Sequence, residues 1–273
     1  MKILIIGLGY AGSRYRRAFE HIATSTGLPL SLAYVGRRQK TTELPFFDSV
    51  GRALEVFAPD IVVVSVNDHS HAPVLKQLAG YRGFVICEKP LVTPQDELAA
   101  ISAALSQVGG FALDLVERYS DASRQLREWV ERHDWQLVRA HFHWGKDRIN
   151  DYRPTCGVTS EIIHALDLLG WICPGAGQLQ LQGVLGVRSD FSISGSEVLD
   201  SVLLTARLGE APVEIGEADV VADRQAEPDA VDIVHDQPVT GLIVIALAIG
   251  LALAQPDIEH VRLVIGRGDL ASG

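Results

Sequence analysis

A glycine-rich motif near the N-terminus constrains the fold of this chain more than any other feature. It consists of Gly7-Leu8-Gly9-Tyr10-Ala11-Gly12, after an apolar run predicted as a β-strand and before a predicted helix. In this context the first glycine permits a tight turn, the second lets backbone approach a pyrophosphate, and the third lets helix and strand pack closely. The motif therefore predicts a dinucleotide site at the helix N-terminus. Its expected cofactor contacts are Gly7, Gly9, Tyr10, Ala11 and Gly12.

Short apolar runs alternate with helix-like stretches through the first half of the chain. Strands are predicted at 3–6, 30–35, 61–66, 84–87 and 111–116, and helices at 11–23, 50–57, 72–79 and 94–108. Parallel strands joined by helices form a sheet that is covered on both faces. The pattern therefore predicts an α/β N-terminal Rossmann domain, a doubly wound parallel sheet, over residues 1–117.

The second half has a different pattern, which predicts a substrate-binding and oligomerisation α+β domain over residues 118–273. Helices are predicted at 122–132 and 160–172, strands at 137–144, 178–187, 198–208 and 213–218, and a loop at 223–228. Successive strands without long helices between them indicate a mainly antiparallel open sheet. Residues 239–254 are apolar but fewer than the roughly 20 that a membrane span needs. We predict a buried last helix there, packed on either domain, with a membrane helix as the alternative.

Charge and cysteine usage narrow the class of protein. The formal net charge of −10 over 273 residues disfavours binding to nucleic acid or to an anionic membrane. The three cysteines include no Cys-x-x-Cys pair, and the N-terminal run resembles a strand rather than a signal peptide. These features predict a reduced, cytoplasmic protein.

The end of the second predicted strand indicates the type of cofactor. NAD-binding sites place an acidic residue there for the ribose hydroxyls, whereas this chain has Gly36-Arg37-Arg38. A guanidinium group can bind two phosphate oxygens at once. We therefore predict NADP(H) in preference to NAD, with Arg37 and Arg38 on the 2′-phosphate; the alternative is that both are solvated loop residues.

The segment Glu88-Lys89-Pro90 follows the fourth strand and resembles the signature of the Gfo/Idh/MocA oxidoreductases. Further segments resemble that family in the same order: Val62–Pro73 with His71, Glu117-Arg118-Tyr119, and the helix Glu161–Trp171 with His164. The likeness extends over about residues 1–172 and continues only in pattern beyond them. It implies cofactor contacts at Val66, His71, Glu88 and Lys89.

The resemblance also implies the catalytic groups. Lys89 would hydrogen-bond the reacting oxygen, and His164 would exchange the proton that accompanies hydride transfer. The family commonly has an aspartate four residues before this histidine, whereas this chain has Ser160 there and Glu161 beside it. Glu161 is therefore a third candidate catalytic residue. Without a carboxylate, reduction of a carbonyl or imine becomes more plausible than oxidation of an alcohol.

The substrate cleft is expected to use aromatic and cationic side chains that grip a sugar or a carboxylate. The candidates are Tyr119, Trp144, Lys146, Arg148, Tyr152 and Arg153, with a solvated loop as the equal alternative. The chain is short for the family, which predicts a smaller second sheet. The pairs His69/His71 and His141/His143 have no third ligand nearby in sequence, so we predict no metal.

The sequence as a whole predicts an NADP(H)-dependent oxidoreductase acting on a small polar substrate. That substrate would be a sugar-like polyol or ketone, or a biosynthetic ketone or imine. The alternative is a non-catalytic NADP(H)-binding sensor or partner-binding protein of the same fold. The resemblance further implies a homodimer or homotetramer.

Overall fold

The computed structural model describes residues 1–133, 135–147, 155–188, 198–220, 242–248 and 258–267. The chain divides into two compact units, Met1–Asp114 and Leu115–Gly273. The sequence placed the boundary at residue 117, whereas the first unit ends with the last residue of its last strand.

The first unit is a parallel sheet with helices in the connections. Its strands are β1 (Lys2–Ile6), β2 (Ser31–Val35), β3 (Phe46–Phe47), β4 (Ile61–Val64), β5 (Phe84–Glu88) and β6 (Gly110–Asp114). Its helices are α1 (Tyr10–Thr26), α2 (Val50–Val56), α3 (Asp68–Gln77) and α4 (Leu98–Leu105). The strand order is β3-β2-β1-β4-β5-β6, and every pair is parallel. The predicted Rossmann fold is confirmed, and only the two-residue β3 was missed.

Apolar side chains cover both faces of this sheet. In β1, Leu4 and Ile6 belong to one buried cluster, whereas Ile3 and Ile5 belong to another. A strand buried on both faces has an uninterrupted apolar sequence, which is why it was recognisable. Because all the strands are parallel, their carboxyl ends and the loops that follow lie along one edge of the sheet.

The second unit begins with a 3₁₀ turn (Val116–Tyr119) and α5 (Asp121–Arg132), and it contains one further long helix, α6 (Val158–Ile172), among the described residues. Its strands are β7 (Trp135–Asp147), β8 (Leu179–Val187), β9 (Ser201–Leu208), β10 (Ala211–Val220), β11 (Leu242–Ala248) and β12 (Ile258–Arg267). They form a sheet of order β11-β12-β7-β10-β9-β8, in which β7 and β10 are parallel and the other neighbours antiparallel. The predicted mainly antiparallel sheet is confirmed.

One face of this second sheet packs under α5 and α6. Phe142 and Ile215 of the sheet are fully buried against Leu168 and Leu169 of α6. The opposite face of β7 and β9 carries exposed residues such as His141 and Leu203. This one-sided burial explains the alternating sequence pattern that predicted these strands.

The prediction of a last helix was wrong. The described part of residues 239–254 is strand β11, which pairs with β12 so that Val244 lies opposite Val264. A short apolar run is ambiguous between helix and strand, and the β-branched run of Ile243, Val244 and Ile245 favours a strand once a partner is available. With β11 and β12 the described residues give this sheet six strands, and its size relative to the family remains a prediction. No helix in the described ranges is long and apolar enough to cross a membrane.

Candidate functional site

The glycine loop connects β1 to α1 at the carboxyl edge of the first sheet. Gly7 has a φ of +94° and donates its N–H to the carbonyl of Val35 at 3.0 Å. A Cβ on Gly7 would lie 2.8 Å from the carbonyl oxygen of Ser65, and a Cβ on Gly12 would overlap the carbonyl oxygen of Gly7. These two positions therefore require glycine for backbone packing alone.

Gly9 differs from the other two glycines because nothing lies within 4 Å of the Cβ it could carry. Gly9 is the N-cap residue of α1, and no side-chain hydrogen bond caps this end of the helix. The first turn of α1 has no acidic residue. A helix N-terminus with open space and no competing carboxylate suits an anion. The loop therefore fits a dinucleotide pyrophosphate, with Tyr10 and Ala11 beside it in the first turn.

Cationic side chains follow β2 at the same edge. Arg37, Arg38 and Lys40 are all exposed, and no acidic residue lies among positions 36–40. The Lys40 ammonium donates a hydrogen bond to the carbonyl of Leu8, which fastens this segment to the glycine loop. The backbone N–H of Lys40 donates to the Tyr34 hydroxyl at 2.7 Å. Lys40 was not singled out from the sequence, because its contact with Leu8 spans distant positions.

His71 of α3 holds the Glu-Lys-Pro segment in place. Its Nδ1 lies 2.6 Å from the carbonyl oxygen of Pro90, and its Nε2 lies 3.2 Å from the carbonyl oxygen of Val66. Both partners are carbonyl oxygens, which accept hydrogen bonds, so the ring nitrogen that carries a proton donates to one of them. Because His71 is 0% exposed, it has no surface for the cofactor contact predicted for it. It acts as a positioning residue instead.

Val66 connects that segment to the glycine loop. It is half-buried, and its Cγ1 would lie 2.8 Å from a Cβ on Gly7. Its carbonyl faces His71, which in turn binds the carbonyl of Pro90, after a cis Lys89–Pro90 peptide. The loops after β1, β4 and β5 are therefore joined at one edge of the sheet, and Lys89 lies on the last of them.

Glu88 lies at the end of β5, directly opposite Asp114 at the end of β6. Burial, and then the negative charge of Asp114, raise the pKa of Glu88 to about 7, against the opposing effects of Lys89 and Arg14. The Tyr15 hydroxyl donates a hydrogen bond to Asp114. Burial, and then the nearby carboxylates, raise the pKa of Tyr15. Neither Tyr15 nor Asp114 was predicted, because their proximity arises from strand pairing.

In the second unit, α6 brings the predicted acid–base residues together. Ser160, Glu161 and His164 are all buried. The Ser160 hydroxyl donates to the carbonyl of Gly157 at 2.8 Å, so its hydrogen bond goes to the start of the helix. The Glu161 Oε2 lies 3.8 Å from the His164 Nε2. The structure therefore places Glu161, three residues before the histidine, as its carboxylate neighbour.

The segment Glu117-Arg118-Tyr119 forms the 3₁₀ turn at the start of the second unit. Glu117 is buried, whereas Tyr119 is 68% exposed. Arg118 donates to both carboxylate oxygens of Asp167 on α6, which raises the pKa of Arg118. This ion pair fastens the turn to the helix that carries His164, one helical turn away.

The other predicted substrate residues are only partly placed. Trp144 and Lys146 lie on β7, and Arg148, Tyr152 and Arg153 lie outside the described residues.

His69 and His71 lie on a helix, so they do not share a face as a strand pair would. His141 and His143 do share the exposed face of β7. In the described ranges no group of three or more His, Cys, Asp or Glu residues could hold a metal ion.

Comparison with known proteins identifies the first unit. Residues 1–112 match the Gfo/Idh/MocA family, described as an oxidoreductase family with an NAD-binding Rossmann fold. This match confirms the resemblance predicted from the motifs. Inositol 2-dehydrogenase of Salmonella typhimurium is 19% identical over 182 residues, which cover 63% of this chain and 54% of that protein. The chain thus spans about half the length of the curated relatives it matches.

Solved structures resemble more of the chain. The myo-inositol dehydrogenase of Lactobacillus casei, in complex with NAD(H) and myo-inositol, has a TM-score of 0.63 at 16% identity and matches 80% of this chain and 67% of its own. The WlbA dehydrogenase of Chromobacterium violaceum, in complex with NADH and UDP-GlcNAcA, has a TM-score of 0.65 at 14% identity. The match covers 90% of this chain and 71% of the WlbA chain. At these identities the likeness shows the fold of both units.

Proposed function

The first 112 residues match the Gfo/Idh/MocA oxidoreductase family, and from this match we propose that the protein is an NADP(H)-dependent oxidoreductase acting on a small polar substrate. The observation that carries the proposal is the linkage through Val66 and His71, which connects the glycine loop to Lys89-Pro90. A cofactor-binding loop and a lysine on one edge of the sheet are what hydride transfer needs.

Lys89 has the central role in the proposed chemistry. A bound nicotinamide would supply or accept the hydride. The reaction leaves negative charge on the oxygen or nitrogen attached to the reacting carbon, and an ammonium stabilises that charge. Because the His71 ring packs against the carbonyl of Pro90, with Nδ1 2.6 Å from its oxygen, the backbone after Lys89 is held in place before a substrate arrives.

The pair of Glu161 and His164 is proposed to exchange the proton. An imidazole can accept or release a proton, and the Glu161 carboxylate lies 3.8 Å from its Nε2. Glu161 thereby supplies the carboxylate that Ser160 cannot. With that carboxylate, we propose that the protein can catalyse either the oxidation of an alcohol or the reduction of a carbonyl. The preference for reduction was expected only for a site without a carboxylate.

The proposed cofactor preference is NADP(H) over NAD. The loop after β2 presents Arg37 and Arg38 to solvent and has no acidic residue among positions 36–40 to hold a ribose hydroxyl. Two exposed guanidinium groups suit the charge and geometry of a 2′-phosphate.

The proposed substrate is a sugar-like polyol or ketone, or a ketone or imine of similar size. The curated relatives that match this chain are inositol 2-dehydrogenases, which supports a polyhydroxylated substrate. The Arg118 side chain is bound to Asp167, whereas the Tyr119 side chain is exposed. We therefore propose that Tyr119 is the residue of that 3₁₀ turn that contacts the substrate.

Replacement of Lys89 tests the proposal. NADPH oxidation or NADP⁺ reduction is measured across a panel of polyols, aldoses, ketoses, ketoacids and imines. We expect turnover with at least one panel member. Lys89→Ala should lower kcat/KM by a factor of about 10² to 10⁴, since it removes charge stabilisation in the transition state. NADPH affinity, measured by fluorescence, should change little.

Lys76→Ala is the matched control, because Lys76 is exposed on α3 and should leave turnover unchanged. Full turnover in Lys89→Ala would contradict the proposed role of the lysine. Tight NADPH binding without turnover of any panel member would contradict the enzyme and support the non-catalytic sensor.

A further inference from the structure

Two carboxyl groups meet at the carboxyl edge of the first sheet. Glu88 and Asp114 are paired residues on the parallel strands β5 and β6, which places them on the same face of the sheet, on strands about 4.8 Å apart. Both side chains are half-buried. The negative charge of Asp114 therefore opposes ionisation of Glu88.

Tyr15 places a hydrogen-bond donor on one member of the pair. Its hydroxyl donates a hydrogen bond to Asp114. The raised pKa of Tyr15 keeps the phenol protonated and therefore able to donate. Burial and the charge of Asp114 raise the pKa of Glu88 to about 7, so Glu88 is the member of the pair that titrates near neutral pH.

Glu88 also contacts the backbone of Lys89. The Lys89 N–H donates to the Glu88 carboxylate, and the Cys87 Sγ donates to the Glu88 carbonyl at 3.2 Å. The charged and titratable groups that face Glu88 are Arg14 and Tyr15 of α1, Cys87 and Lys89 around the end of β5, and Asp114 of β6. Arg14 and Lys89 are the cations of this group.

We propose that Tyr15, Asp114 and Glu88 form a network, in which Tyr15 is hydrogen-bonded to Asp114 and Asp114 acts on Glu88 through its charge, that positions Lys89 and sets the charge around it. Tyr15 and Asp114 are positioning residues, since they act through Glu88. The proposal rests on the proposed function in one respect, the catalytic role of Lys89.

The protonation of Glu88 changes the local charge. With Glu88 neutral, the charges of Lys89 and Arg14 exceed the single charge of Asp114, and this surplus favours negative charge developing on a substrate oxygen. With Glu88 ionised, the cations and anions balance. The network therefore favours reduction of a carbonyl at low pH. It also favours the oxidised cofactor, whose nicotinamide is cationic, at high pH.

The titration of Glu88 tests the network without turnover. The full-length protein is labelled with glutamate carrying ¹³C at the side-chain carboxyl, and Glu88→Gln identifies the Glu88 resonance by its loss. We expect a midpoint near pH 7, as burial and Asp114 dictate. Asp114→Asn should lower this midpoint by about one pH unit, because it removes the neighbouring charge. Tyr15→Phe should raise it, because Asp114 loses its donor.

Tyr81→Phe is the matched control. It removes a half-buried phenol hydroxyl whose partner is the carbonyl of Pro59, before β4, so the Glu88 midpoint should not move. If Asp114→Asn does not fold, Tyr15→Phe still moves the midpoint in a defined direction.

The free energy of unfolding gives a second readout. The pKa of Glu88 rises from 4.5 to about 7 on folding, so its stabilising contribution is complete below pH 4.5 and is lost as the pH rises through 7. Glu88→Gln should remove this decline between pH 4.5 and 7 in urea denaturation. The affinity ratio of NADP⁺ to NADPH should rise about tenfold across pH 7 in the wild type only.

These measurements distinguish a failure of the proposed network from a failure of the proposed oxidoreductase function. A Glu88 midpoint below pH 5, or one that neither Asp114→Asn nor Tyr15→Phe moves, overturns the network. A midpoint that responds as expected in a protein that binds no cofactor supports the network and overturns the proposed function.

Discussion

His71 illustrates at the scale of a residue how sequence and structure assign different roles to one side chain. The segment Val62–Pro73 suggested a cofactor contact at His71, because this histidine matches the one usual in the family that the chain resembles. In the structure His71 is buried, and its Nδ1 lies 2.6 Å from the carbonyl oxygen of Pro90. Its partner lies 19 positions away in sequence, so no local pattern could reveal it.

Ser160 and Glu161 present a similar ambiguity. On a helix, residues three and four positions before a histidine lie almost equally near to it. In the structure the Glu161 carboxylate lies 3.8 Å from His164, and the Ser160 hydroxyl donates to the carbonyl of Gly157 at the helix start. The sequence could present both candidates, whereas the distance to His164 depends on side-chain conformation.

Cofactor preference is a prediction at the scale of single residues. Arg37→Ala and Arg38→Ala should each weaken NADPH binding, the more important of the two by about 10- to 100-fold, because a charge-assisted hydrogen bond contributes about 1.5–3 kcal/mol. NADH binding should change little. Dissociation constants from fluorescence titration at fixed ionic strength measure both effects.

Arg82→Ala is the control for this series. Arg82 is an exposed arginine that precedes β5, at the opposite edge of the same sheet, and it should leave both dissociation constants unchanged. Equal affinity of the wild type for NADH and NADPH would refute the predicted preference.

At the scale of elements, the glycines between β1 and α1 have different structural roles. Gly12 is needed for packing, since an added Cβ would overlap the carbonyl oxygen of Gly7, whereas an added Cβ on Gly9 meets nothing within 4 Å. Gly12→Ala should therefore lower the free energy of unfolding by about 1–3 kcal/mol and also weaken cofactor binding. Gly9→Ala should leave stability within about 0.5 kcal/mol and weaken cofactor binding alone.

Thermal unfolding and NADPH titration of both variants distinguish the two roles. Gly51→Ala is the control, since Gly51 lies in α2 and an added Cβ there also meets nothing within 4 Å. Unchanged NADPH affinity in Gly9→Ala would show that the pyrophosphate does not approach this glycine.

The apolar segment at 239–254 shows where element prediction fails. Its composition allows a buried helix or a buried strand, and periodicity cannot separate the two in so short a run. The strand β11 exists because β12, which begins at Ile258, provides its hydrogen-bonding partner and itself pairs with β7. The decisive information is therefore a long-range pairing.

At the scale of the whole molecule, the hydrophobic residues form separate cores in the two units. The clusters around Leu4 and Ile5 contain residues of the first unit, and the cluster around Phe142 contains residues of the second. All four tryptophans, at positions 129, 135, 144 and 171, belong to the second unit. Tryptophan fluorescence therefore reports the unfolding of that unit.

Separate cores predict separate responses to the cofactor. NADPH at a hundred times its dissociation constant should stabilise the first unit by about 2.7 kcal/mol and raise its unfolding temperature in calorimetry by about 10 °C. The midpoint followed by tryptophan fluorescence should move much less. Adenosine at the same concentration, which lacks the phosphates, is the control ligand. Equal shifts of both midpoints would show that the two units unfold as one.

The sequence by itself determined the elements whose signals are local. The glycine motif, the strands buried on both faces and the alternating strands of the second sheet each follow from spacings within a few residues, because helices and strands have fixed periods. Only the tertiary structure decided the groups that meet through strand pairing or helix packing. Tyr15, Glu88 and Asp114 lie up to 99 positions apart and converge at the edge of one sheet, and β11 is a strand because β12 pairs with it. The physical reason is that contacts of this kind depend on strand order and register, which no local period encodes.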